Sequence, residues 1–148
     1  MTTINQIKKL REETGVSITE CKKALEETRG EIKKAREVLQ KRGKTIVEKK
    51  KEKEAKAGII ETYLHPNRKI GVLLELNCET DFVAKSKDFQ NLAHELCLQI
   101  AAMDPDKNSL VEQPWIKDEA KTVQDLIEEY IMKLGENVIV KGFQRYEI

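Results

Sequence analysis

Apolar residues recur at three- and four-residue intervals through the first 43 positions, and a mixture of near-alternation and longer helical stripes takes over from residue 58. Ile4, Ile7 and Leu10 share one helical face, Thr3 and Gln6 have capping-box spacing ahead of them, and Gly15 is placed to end the helix at positive φ. Ser17 and Glu20 repeat that spacing before Ile18, Cys21, Ala24 and Leu25. Gly30 breaks the chain, and a third stripe of Ile32, Ala35, Val38 and Leu39 is expected to close at Gly43. The pattern predicts a three-helix bundle over residues 1–43, near the lower size limit for independent folding.

Residues 44–57 interleave both charge signs among good helix formers, which predicts a solvated, partly helical linker. Its Lys49, Lys50 and Lys51 are the most concentrated basic run available for phosphate contacts, although such runs are commonly only a solvated face. The texture changes at Gly58. Ile59, Ile60, Tyr63 and Leu64 suggest a strand, His65-Pro66-Asn67-Arg68 supplies turn chemistry, and Lys69 to Cys78 reads as its hairpin partner. A helix follows from Ser86 to Met103, carrying Phe89, Leu92, Ala93, Leu96 and Ile100 on one face. Asp104-Pro105 breaks it, and Pro114 marks another boundary. Val123, Leu126, Ile127, Tyr130, Ile131 and Leu134 make a last stripe that Gly135 stops, and the β-rich tail from Asn137 most simply adds a third antiparallel strand. Residues 58–148 are therefore expected to form an α+β core with helices covering one face of a small sheet.

Composition narrows the function more than the fold. Lys+Arg at 27 against Asp+Glu at 26 leaves almost no net field, so any nucleic-acid face must be local. The three cysteines, at 21, 78 and 97, form no C-x-x-C pair and their odd number argues against a complete intramolecular disulfide framework. No apolar stretch approaches the length of a membrane span, and the N-terminus enters a helical pattern directly; a cytoplasmic protein is expected. His94 and Cys97 stand at i, i+3 and invite a metal reading, but zinc needs three or four convergent ligands and only the distant Cys78 and His65 are candidates to join. Glu75, Glu79 and Asp81 alternate along an extended stretch, without a pocket to shift a pKa for acid–base work. Neither G-x-x-x-x-G-K-[ST] nor G-x-G-x-x-G occurs. Nothing here signals an enzyme or a resident cofactor.

The richest stretch is Leu74 to Lys85, where an apolar strand ends in a polar cluster and a helix opens with an acid and a large aromatic. Thr80 or Asp81 can cap that helix. On periodicity alone, Phe82 lies seven residues before Phe89 and reads as core. Thr80-Asp81-Phe82-Val83 nevertheless resembles the Thr-Asp-Phe-Val motif of the elongation factor Ts family, the guanine nucleotide exchange factors of elongation factor Tu. Leu10-Arg11-Glu12-Glu13-Thr14-Gly15 with Cys21-Lys22-Lys23-Ala24-Leu25 is similar to the family's N-terminal signature, and Lys133 to Val140 to its Ile-Gly-Glu-Asn segment. The three motifs occur in order and span nearly the whole chain.

The resemblance implies a ubiquitin-associated-like bundle followed by the family's core. The sequence departs from long members there: only Asp104 to Leu110 separates the core helix from the segment near Pro114, so the chain reads as a short form with one core subdomain, lacking the second core subdomain and the coiled coil. The resemblance also implies exchange by displacement: the Asp-Phe pair, here Asp81 and Phe82 flanked by Thr80 and Val83, intrudes beside the magnesium and phosphate site of elongation factor Tu. Arg11, Ile18, Lys22 and Lys23 would supply a second grip. Val16-Ser17-Ile18-Thr19 departs from many relatives, which carry small residues and two methionines there. A homodimer is expected to replace the missing second lobe, pairing along the strand Val138 to Tyr146. The competing function is a small RNA-binding adaptor that uses the bundle and the basic linker.

Overall fold

A computed structural model describes residues 3–105 and 109–148, which divide into two compact units between Glu52 and Lys53. The first unit holds α1 (Ile4–Thr14), α2 (Ile18–Glu27) and α3 (Ile32–Lys50). The box ahead of α1 is complete: the Thr3 hydroxyl accepts the Gln6 N–H while the Gln6 side chain accepts the Thr3 N–H. At α2 only half of it forms. Ser17 accepts the Glu20 N–H, whereas the Glu20 carboxylate turns to Arg42 at 3.6 Å. Leu10, Cys21, Ala24, Leu25, Ala35 and Leu39 are buried, as their spacing requires.

Gly43 does not close the third helix. It lies buried inside α3, which runs on through Val47 to Lys50. A glycine inside a helix costs about 1 kcal/mol relative to alanine. The buried row Ala35, Leu39, Gly43 and Val47, at intervals of four, keeps the helix going past it. Residues 44–50, expected as the start of a linker, are thus the last turns of α3.

In the second unit the order is β1 (Ala57–Leu64), β2 (Ile70–Cys78), α4 (Asp81–Ala84), α5 (Lys87–Ala102), a 3-10 turn (Leu110–Glu112), β3 (Pro114–Trp115), β4 (Asp118–Thr122), α6 (Val123–Leu134) and β5 (Val138–Glu147). The expected sheet forms with β2 in the centre, antiparallel to β1 and β5. Alternation sends Val72, Leu74, Leu76 and Cys78 inward and leaves Leu73 and Glu75 outward. Gly58 faces Asn77 across the hairpin, where a Cβ would lie 2.2 Å from the Leu76 carbonyl oxygen, so only glycine fits. Opposite Glu75 and Leu76 the register slips by one residue, Lys141, which bulges the β5 edge.

Helix α5 packs on β1 and β2 through its fully buried Phe89, Leu92, Leu96 and Ile100, and α6 packs beside it with Val123, Leu126, Ile127 and Ile131 buried. Arg145, on β5 with its side chain only 11% exposed, donates to the Ile100 and Ala101 carbonyls, both at 3.0 Å. A cation there satisfies the last carbonyls of α5 and complements its dipole. The β3–β4 ribbon, where the sequence marked only a boundary at Pro114, hangs on fully buried Gln99 of α5. That amide donates to Gln113 Oε1 (3.0 Å) and the Pro114 carbonyl (3.1 Å) and accepts the Ile116 N–H (2.9 Å). Part of the connection expected from Asp104 to Leu110 lies outside the described residues. Among the described residues no helix is long and apolar enough to cross a membrane.

Candidate partner-binding site at a strand–helix junction

Strand β2 ends at buried Cys78, and Thr80 then caps α4 by accepting the Val83 N–H at 3.3 Å. The helix is a single turn. Ser86 ends it by donating its hydroxyl to the Val83 carbonyl (2.7 Å), and the same oxygen caps α5 by accepting the Phe89 N–H (3.2 Å). This break decides the fate of the two aromatics. Periodicity assumed one unbroken helix, but Phe82 and Phe89 belong to different helices; Phe89 is fully buried and Phe82 is 86% exposed. Thr80 and Asp81 are exposed beside Phe82, while Val83 and Ala84 are buried and anchor the turn to the core.

A second segment, distant in sequence, holds this junction. Gly135 takes a left-handed conformation (φ 75°) as it ends α6, and delivers Glu136 to the far side of Thr80. Glu136 Oε1 accepts the Glu79 and Thr80 N–H groups at 3.1 and 3.0 Å, and Oε2 accepts the Thr80 hydroxyl at 2.7 Å. The tie is reciprocal: Glu79 Oε2 accepts the Asn137 N–H at 2.6 Å, and the buried Asn137 amide donates to the Lys53 carbonyl at 2.9 Å. Beneath them the Cys78 thiol donates to the Thr80 carbonyl at 3.2 Å. Burial above all, and then the neighbouring Glu136, push that thiol up from its ordinary 9.0. No local pattern in the sequence signals this role for Glu136, because the contact spans 56 residues.

Arg11, Ile18, Lys22 and Lys23, the second expected group, belong to the first unit and are all exposed. Arg11 lies in the last turn of α1. Ile18 opens α2 at 53% exposure and shares a face with Lys22 one turn on, while Cys21 between them turns into the bundle. The basic run of the expected linker ends α3: Lys49 and Lys50 occupy its last turn, where cations suit the helix dipole, and Lys51 pairs with Glu48 at 2.8 Å. Cys97 is fully buried and its thiol is pushed up to about 12 by desolvation, and no three metal-ligating side chains converge among the described residues.

Comparison with known proteins places these motifs in a wider set. A family model described as "Elongation factor TS" matches residues 79–148, the stretch that begins at the junction. The elongation factor Ts of Coprothermobacter proteolyticus is 38% identical over 96% of this chain and 95% of its own, and that of Thermotoga neapolitana is 41% identical over 96% and 94%. The elongation factor Ts of Moorella thermoacetica is 39% identical over 96% and 93%. The first of these alignments runs over 188 positions against the 148 residues here, so at least 40 of its positions have no counterpart in this chain.

Proposed function

Because the chain belongs to the elongation factor Ts family, we propose that it accelerates GDP release from elongation factor Tu by placing Asp81 and Phe82 against the partner's magnesium and phosphate site. The observation that carries this is Phe82, 86% exposed on a one-turn helix whose other side is anchored in the core. Leaving a large aromatic uncovered has no stabilising use within the fold, and aromatics in that state recur as interface anchors. Thr80 fixes the turn, Val83 roots it, and Asp81 adds a negative charge where a bound cation must be loosened. In GTPases, Mg²⁺ and backbone donors hold most of the phosphate charge, so disturbing either weakens nucleotide binding. Exchange then requires only tighter binding to the empty partner than to the loaded one, a negative coupling that uses no nucleophile, metal or cofactor of the factor's own.

Arg11, Ile18, Lys22 and Lys23 serve docking in this reading: an apolar side chain among cations suits the amphipathic surface of a partner helix. The full chain, added to elongation factor Tu loaded with fluorescent GDP, is expected to speed release, and Phe82→Ala to slow that release while leaving the circular dichroism unchanged. An unaccelerated release would sink the proposal. Tight binding to RNA that weakens steeply with salt would favour the adaptor instead.

Self-association completes the proposal, through the sheet's outer face in preference to its edge. The Lys141 bulge interrupts the β5 edge, whereas Ile60, Leu64, Leu73, Ile139 and Tyr146 are all exposed on the face of the sheet opposite α5. A two-fold axis would bring this patch against its own copy. Light scattering at micromolar concentration is expected to give twice 17.0 kDa. Leu73→Lys should return the chain to a monomer, and a wild-type monomer would reject the dimer.

A further inference from the structure

We propose that Glu136 is a positioning residue for exchange: acting through Thr80, it sets the direction in which Phe82 is presented. The inference rests on the reading of Phe82 as the side chain that acts on the partner. A one-turn helix cannot hold itself, because the helical nucleus is unfavourable until further bonds follow it. Burial of Val83 and Ala84 secures the inner side of α4, and among the described residues nothing apolar covers the outer side, where Thr80, Asp81 and Phe82 are exposed. Glu136 does so with charge-assisted bonds.

The proton positions follow from what each group can do. A carboxylate only accepts, so the Thr80 hydroxyl donates its hydrogen bond to Glu136 Oε2 and accepts the Val83 N–H with a lone pair. Glu136 thereby fixes the rotor of the cap as well as the two peptide groups before it. Its own mounting is stiff: Gly135 caps α6 behind it, and buried Asn137 after it is held by Glu79 and by the Lys53 carbonyl. Phe82 has almost no packing of its own, so the backbone that Glu136 holds decides where the ring points.

A double-mutant cycle on the full chain tests this, with release of fluorescent GDP from elongation factor Tu as the readout. Phe82→Leu is the partner mutation, because a smaller apolar side chain leaves residual exchange to measure. Glu136→Ala is expected to slow release about tenfold in the wild-type background and less than about twofold in the Phe82→Leu background, the non-additivity of coupled residues. Equal slowing in both backgrounds, or none in either, overturns the positioning role while leaving the exchange reading intact. Wild-type release by Phe82→Leu and Phe82→Ala alike would instead overturn the reading of Phe82, and this inference with it. Should Glu136→Ala lose the native circular dichroism, the same cycle with Glu136→Gln decides by the same criterion. That variant keeps the side-chain length and one acceptor oxygen, so its slowing in the wild-type background is expected to be smaller, about threefold.

Discussion

The three-helix unit and the α+β unit each display an apolar side chain beside charges, but they hold it by different means. Ile18 is mounted on the first turn of a ten-residue helix whose opposite face is buried, so its direction follows from the helix alone. Phe82 stands on four helical residues that depend on Ser86 to end them and on Glu136 to steady them. A self-supporting helix suits a contact that only has to be present. A clamped turn suits a side chain that must arrive at one position in a partner. The first display is local in sequence; the second is assembled from two stretches far apart in the chain.

The largest expected effect sharpens this comparison inside the second unit. Phe89→Ala removes a fully buried ring and is expected to cost about 3–5 kcal/mol of stability. Phe82→Ala, the same substitution seven residues earlier, should leave the unfolding free energy from urea titration within about 0.5 kcal/mol of wild type. It should lower the exchange rate about 30-fold, the equivalent of the ~2 kcal/mol typical of a truncated anchor. If both variants unfold alike, the contrast between clamped display and core fails. Ile18→Ala comes next, with binding to elongation factor Tu weakened about fivefold, ~1 kcal/mol, and maximal exchange at saturation unchanged. An effect on the saturated rate would show that both units act in displacement.

The smallest effect concerns thiols that both units keep buried. Burial raises Cys21, Cys78 and Cys97 above 9.0, Cys97 to about 12. The unfolded chain therefore ionises first as the pH climbs past 9.0, and the stabilising contribution present below that pH is lost between it and about 12. Wild type is expected to lose more of its urea midpoint between pH 8 and pH 10 than Cys97→Ala does, and a thiol-reactive dye should label the native chain slowly. Equal losses would mean that Cys97 titrates normally.

The Thr3 capping box, the Ser17 cap, the helical spans of α1, α2, α5 and α6 and the strands of the sheet were determined by the sequence itself, because helix and strand periods and cap residues act over a few positions, whereas Ile4 and Ile18 of the expected stripes stay exposed. The motif around Phe82 was legible too, though only as a resemblance, since its spacing from Phe89 pointed to the core. Tertiary structure decided the rest. Gly43 stays helical because burial outweighs a local propensity, and the β3–β4 ribbon exists because Gln99 ties its backbone down. Glu136 reaches Thr80 across 56 residues, and such a partnership leaves no periodic trace in a chain. Local patterns record what neighbours along the chain must do. Which distant carboxylate satisfies which hydroxyl is settled only when the fold brings them together.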